Sequence, residues 1–171
     1  MAGLFSWMRR ARHAVVGAPS SARATAPGAH AAAARPTTQE VDPRRLGRLA
    51  LAYAPRRDDV PDAGEIVWTW VPYAERDGRG KDRPVLVIAR RDAVSVYAVK
   101  LTSKPHDHDH AYVSLGSGAW DLAGRPSWID LDQVYVVFDA GMRREAAALD
   151  RASFQRVATE LSTRYGWIPP R

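Results

Sequence analysis

The sequence predicts a mainly β domain closed by one C-terminal helix, and three observations carry that expectation. Short β-branched and aromatic runs recur at 64–72, 85–89, 94–101, 112–115, 127–138 and 141–149, separated by turn-rich stretches. Within them the apolar residues alternate, so that Ile66, Trp68 and Trp70 point one way and Val67, Thr69 and Val71 the other. After Asp150 the period changes. Phe154, Val157, Ala158, Leu161 and Tyr165 form one helical stripe, Asp150 is a natural N-cap, and Gly166 with Pro169-Pro170 ends the run. That places a helix at about 151–165.

The chain of 171 residues has room for one domain plus extensions. It has no cysteine, which excludes disulfides and thiolate zinc sites. No apolar run approaches membrane-spanning length, and a cytoplasmic protein is the simplest reading. Charge is uneven. Residues 1–59 hold ten Arg and four acids, whereas 60–171 hold fifteen of each sign, so the net +6 belongs to the N-terminal part. The high pI therefore says nothing about the folded domain, where a local cluster must carry any nucleic-acid binding.

Residues 1–45 read as a disordered, basic, Ala/Pro-rich extension, because such composition buries too little apolar surface to offset its ordering entropy. Residues 3–16 carry an apolar stripe that a short amphipathic helix on a membrane surface would explain, and a disordered leader is the competing reading. The domain is expected over 46–171. Leu49, Leu51 and Tyr53 alternate as in a short edge strand, with a short helix as the competitor.

The strand at 64–72 leads into a charged loop that holds Glu75, Asp77 and Lys81. Then comes Gly80-Lys81-Asp82-Arg83-Pro84-Val85-Leu86-Val87-Ile88-Ala89. Pro84 biases Arg83 toward extended backbone and starts a strand that is apolar on both faces. A guanidinium held at a strand mouth is a receptor for phosphate or carboxylate oxygens. The bland alternative is a loop arginine that pairs with Asp82. With a hairpin turn centred on Arg91-Asp92, Arg83 lies opposite Lys100 and diagonal to Thr102. Lys81, Arg83, Lys100, Thr102 and Lys104 then gather at the open end.

His106, His108 and His110 alternate in the next segment. Imidazoles on one strand face suit a transition metal, but no distant Cys or His cluster completes four ligands, and a solvated loop is favoured. Trp120 is either a stacking platform for a base or a cap over the core. In the strand at 127–138, Val134, Val136 and Phe138 are expected to face opposite Leu131, Tyr135 and Val137. Asp132-Gln133 lies mid-strand, where an acid asks for a partner.

The order Gly-Glu-Ile-Val-Trp at 64–68, Lys-Asp-Arg-Pro-Val-Leu-Val at 81–87, Leu-Thr-Ser at 101–103 and Asp-Gln at 132–133 resembles the MazF/PemK-like toxins of type II toxin–antitoxin systems. The resemblance covers roughly residues 62–167. It implies a small SH3-like barrel, usually a homodimer. It also implies a metal-independent endoribonuclease on single-stranded RNA, without cofactor, neutralised by a cognate antitoxin. Two departures stand out. The first loop lacks the histidine that some members carry. Asp130 stands where the plasmid-borne branch has a second phosphate-binding arginine, so that arginine is either missing or supplied elsewhere, with Arg125 the candidate.

On this reading Arg83 stabilises charge on the phosphate while the RNA 2′-OH attacks, and Thr102 or Ser103 donates a further hydrogen bond. Lys81, Lys100, Lys104, Arg125 and Trp120 are the expected RNA contacts. Glu75, Asp77, Asp132 and His106 are the candidates for general acid or base. The rival reading is a non-catalytic SH3-like barrel that binds nucleic acid or protein, since fold does not imply function. A third is a membrane-tethered regulator that uses residues 1–16.

Overall fold

The computed structural model describes residues 37–171 except Arg57, Asp59, Ala74 and Arg76 and the side chains of 144–146. The readings made of residues 1–36 lie outside the described residues. Among the described residues seven strands precede one α-helix: β1 (Gln39–Val41), β2 (Glu65–Pro72), β3 (Gly80–Asp92), β4 (Ser95–Thr102), β5 (Tyr112–Gly116), β6 (Ser127–Phe138), β7 (Met142–Ala148) and α1 (Arg151–Tyr165). The mainly β class with a C-terminal helix is as predicted. All pairs are antiparallel, in the order β1-β6-β4-β3-β2-β7, with β5 paired separately on β6.

The sheet curls on itself. β1 and β2 are four steps apart in that order, yet the hydroxyls of Thr38 and Thr69 are 3.2 Å apart. One face of the curled sheet packs Val67, Val71, Val85, Val87, Val96, Ala98, Tyr135 and Val137 together, all contributed by strands. This is the barrel interior, filled with small β-branched side chains that suit tight curvature. The other face packs Ile66, Leu86, Ile88, Val99, Leu101, Ile129 and Leu131 under α1. The helix buries Phe154, Val157, Ala158 and Leu161, the stripe read from the sequence. Gly64 joins the layers at φ 101°, and an added Cβ would stand 2.7 Å from the Tyr53 ring. Its N–H donates to Val87 and its carbonyl accepts from Leu149.

Four expectations need correction. The extension expected to run to residue 45 ends earlier, because Gln39–Val41 pair with Val136, Tyr135 and Val134 and Thr38 is buried. Local composition carries no signal of a partner strand about 95 residues away. Residues 46–53 form no edge strand. They make one parallel bridge, Ala50 to Ile168, and the N–H groups of Leu51 and Ala52 go singly to the Ile168 and Ile88 carbonyls. The β3–β4 turn sits at Ala93-Val94, where the Asp92 carboxylate accepts the Val94 N–H at 2.9 Å. Two bulges on β3 then bring Val85, not Arg83, opposite Lys100. Finally, Leu131 faces the helix side with Val134, not the interior with Tyr135. Val99 pairs with Val134 but Leu101 with Ile129, so β6 carries extra residues at 130–133 and its faces exchange there.

The Asp150 cap yields a direct expectation. Its carboxylate accepts the Ser153 N–H at 2.9 Å, and that hydrogen bond, the foremost cause, holds its pKa below the usual range. Asp150→Ala should cost about 1 kcal/mol at neutral pH, as lost N-caps do. A depressed native pKa means that the contribution is complete above the ordinary carboxylate pKa and fades as pH falls through the native one. Urea unfolding at pH 7 and pH 3 checks this: the gap between wild type and variant should narrow in acid.

Candidate functional site

Residues of four strands meet at one end of the barrel interior. Arg83 pairs with Thr69 on β2 and shares its face with Val85 and Val87, which lie deeper in the interior. Two residues beyond the Val85–Lys100 pair stand Arg83 on β3 and Thr102 on β4. Alternation puts Lys100, Thr102 and Arg83 on the same face. The revised register thus brings Thr102 level with Arg83, closer than the diagonal expected from the sequence.

Arg83 is half-buried and has no hydrogen bond or ion pair among the described residues. Asp82, its proposed local partner, is instead engaged by Arg143 at 2.5 Å. A guanidinium with no carboxylate partner among the described residues has the fork geometry that can receive phosphate or carboxylate oxygens. Thr102 Oγ1 accepts the Lys104 N–H at 3.1 Å, which leaves its own proton to donate outward.

Beside these residues lies a polar network. The Lys100 ammonium donates to Gln133 Oε1 and lies 3.2 Å from Asp130 Oδ2. Asp130 also accepts the Asp132 N–H at 3.0 Å and lies 3.4 Å from the Tyr112 hydroxyl. The Gln133 amide reaches Glu40 on β1 at 3.4 Å. The bulge at 130–133 makes this possible, because it turns Asp130 and Gln133 inward toward Lys100. Burial, with the nearby Asp130 and Asp109 charges, pushes the Tyr112 hydroxyl pKa up. Tyr135 is pushed up further, by burial first and then by Glu40 and Asp130, while the Arg83 charge opposes. One field therefore links β1, β3 and β6.

The other expected site residues fall elsewhere or stand apart. Trp120 is a core residue: it is 7% exposed and its indole N–H donates to Ser127 Oγ at 3.1 Å. The stacking platform is corrected to a core cap, with the ring lying against Gly118. Asp132 points to the helix side, where Arg164 holds it at 2.6 Å and Tyr165 lies at 3.3 Å. The buried acid that finds its partner inside the barrel is Asp130, not Asp132. Arg125 pairs with Asp121 at 2.8 Å in its own loop, and that hydrogen bond keeps the Asp121 carboxyl below its usual range. Asp77 is engaged by Arg79 at 2.6 Å, and Glu75, Lys81, Ser103 and Lys104 are exposed.

His106 stacks on Tyr112 with ring centroids 3.6 Å apart and lies 3.9 Å from Asp109. It is thereby connected to the Asp130 network through the tyrosine. Among the described residues no three His, Cys, Asp or Glu side chains form a metal-binding group. Sequence reasoning named Gln133 only within the Asp-Gln motif and did not single out Tyr112 or Glu40 for the site. An acid at Asp130 inside an apolar strand was the available signal for the network, whereas Glu40 carried none.

A family model described as PemK-like, MazF-like toxin of type II toxin-antitoxin system matches residues 62–163, more than half of the chain. Solved structures are similar too. MazE-MazF (Form-II) from Deinococcus radiodurans shares 22% identity at a TM-score of 0.48, covering 64% of this chain and 99% of that one. An endoribonuclease in complex with its cognate antitoxin, from a mycobacterial species, shares 19% identity at 0.48, covering 62% and 95%. Mycobacterium tuberculosis toxin MazF-mt6 shares 15% at 0.42, covering 59% and 97%. No curated protein matches the chain.

Proposed function

The chain belongs to the PemK-like, MazF-like toxins of type II toxin–antitoxin systems, and from that premise we propose that it is an endoribonuclease that cleaves single-stranded RNA at the Arg83 end of the barrel. The observation that carries the reading is Arg83 itself. It is a cation without a carboxylate among the described residues, and Thr102 stands level with it on the neighbouring strand.

The chemistry needs no group beyond the RNA. The 2′ oxygen forms a bond to the adjacent phosphorus as the bond from phosphorus to the 5′ oxygen breaks. The 2′-OH proton leaves to solvent or a basic side chain, and the departing 5′ oxygen gains one. The products are a 2′,3′-cyclic phosphate and a 5′-hydroxyl. Arg83 offsets charge on the non-bridging oxygens, and the Thr102 hydroxyl donates to one of them. His106, stacked on Tyr112 at the edge of the polar network, is the imidazole we assign as a proton-exchanging group. We further propose that the active species is a homodimer and that a cognate antitoxin neutralises it.

The test is incubation with mixed-sequence single-stranded RNA, with end-group analysis, in the presence and absence of EDTA. Fragments with cyclic phosphate and 5′-hydroxyl ends, formed equally in EDTA, are expected. Loss of cleavage in EDTA with recovery on adding zinc would overturn the mechanism. RNA binding that depends on Arg83 without any cleavage would point to the non-catalytic module.

A further inference from the structure

We propose that Lys100 is a second phosphate-contacting cation beside Arg83, and that Asp130 and Gln133 are positioning residues that hold its ammonium there. The inference rests on the nuclease reading above.

The placement argues for it. Lys100 precedes Thr102 by two residues on one strand face, and it pairs across β3 with Val85, two residues from Arg83. Its ammonium, on a side chain 19% exposed, has Gln133 Oε1 and Asp130 Oδ2 as partners. A lysine ammonium carries three N–H donors. Gln133 Oε1 accepts one of them and Asp130 is an ion-pair partner at 3.2 Å, which leaves donor capacity for a ligand at the open end. Asp130 is itself held on two further sides, by the Asp132 N–H and by Tyr112. The Gln133 amide is braced by Glu40. A surface lysine would wander; this one is tied at a fixed point on the Arg83 face.

A merely structural ion pair predicts something different. Replacing a buried pair with apolar residues of similar size is often neutral or stabilising, whereas removing one partner alone is costly. The charge-free double variant Lys100→Met/Asp130→Leu separates the two roles. It should fold at least as stably as Lys100→Met alone.

The experiment compares wild type, Arg83→Ala, Lys100→Met, Asp130→Leu and the Lys100→Met/Asp130→Leu double variant. It reads thermal melting, kcat and KM on single-stranded RNA, and the salt dependence of binding to 2′-O-methyl RNA, which cannot react. Lys100→Met is expected to lower kcat about tenfold or more, within the range seen when one transition-state donor is lost. Its log–log salt slope should weaken by about 0.7, one phosphate contact on a single strand. Asp130→Leu should lower kcat and keep the slope, because the charge remains but is no longer aimed. The double variant should regain stability and stay as slow as Lys100→Met.

Wild-type cleavage in the double variant would reduce the pair to a structural role and overturn the proposal. So would an unchanged kcat and salt slope in Lys100→Met while Arg83→Ala is inactive, which leaves the nuclease reading intact. A wild type that neither binds nor cleaves RNA overturns both.

Discussion

Arg83→Ala is expected to lower RNA cleavage by roughly 10²-fold or more, the cost of one preorganised donor aimed at developing charge. The fold should survive the change. Arg83 lies at the open end of the interior, and its guanidinium has no partner among the described residues that would be orphaned by its loss. Stability should therefore stay within about ±0.5 kcal/mol, as at surface sites without special contacts. Arg83→Lys should recover only part of the rate, since a point charge cannot reproduce the planar fork. Thr102→Ala should cost less than Arg83→Ala, and Thr102→Ser little. Single-turnover cleavage with a parallel thermal melt checks the set. Unchanged cleavage in Arg83→Ala would remove Arg83 from the chemistry.

Phe154→Ala should cost about 3–5 kcal/mol, the range for large aromatic truncations in a core. Phe154 is 1% exposed and is the first buried anchor of α1. Its ring packs against Tyr53 with centroids 5.1 Å apart, and the Tyr53 hydroxyl donates to the Leu149 carbonyl at 2.8 Å. The cavity would thus open where the helix, the end of β7 and the 46–55 segment meet. A loss of that size is a large part of the stability of a domain this small. Urea unfolding is the measurement, and a midpoint close to wild type would show that α1 docks mainly through Val157 and Leu161.

The mechanism and the architecture make different demands on the same strands. Val85 and Val87 hold the barrel interior closed, and two residues before them Arg83 faces an open end. Alternation along β3 makes this possible: one face serves the core over part of its length and the proposed RNA site over the rest. β4 repeats the device, with Val96 and Ala98 inside and Lys100 and Thr102 toward the opening.

Local signals determined a great deal by themselves. The helix at Arg151–Tyr165 followed from its cap, its stripe and its terminal glycine, all within a few residues of one another. The strand at Ser127–Phe138 followed from its β-branched run, and Arg83 stood out because Pro84 and the apolar strand beyond it are adjacent in sequence. What the chain did not reveal depends on partners distant in sequence. β1 became a strand because β6 offered it an edge, so Glu40 joined a site whose other members begin with Arg83. Trp120 left the candidate interface because the core accepted its ring and Ser127 its N–H. The bulges on β3 and β6 decided which residues share a face, and with them the alignment of Thr102 with Arg83 two residues past the Val85–Lys100 pair and the contact of Asp130 with Lys100. Periodicity counts residues one by one, whereas a bulge adds a residue to one strand and none to its neighbour. Only the packed sheet, weighing the pairing of both strands at once, sets where that extra residue goes.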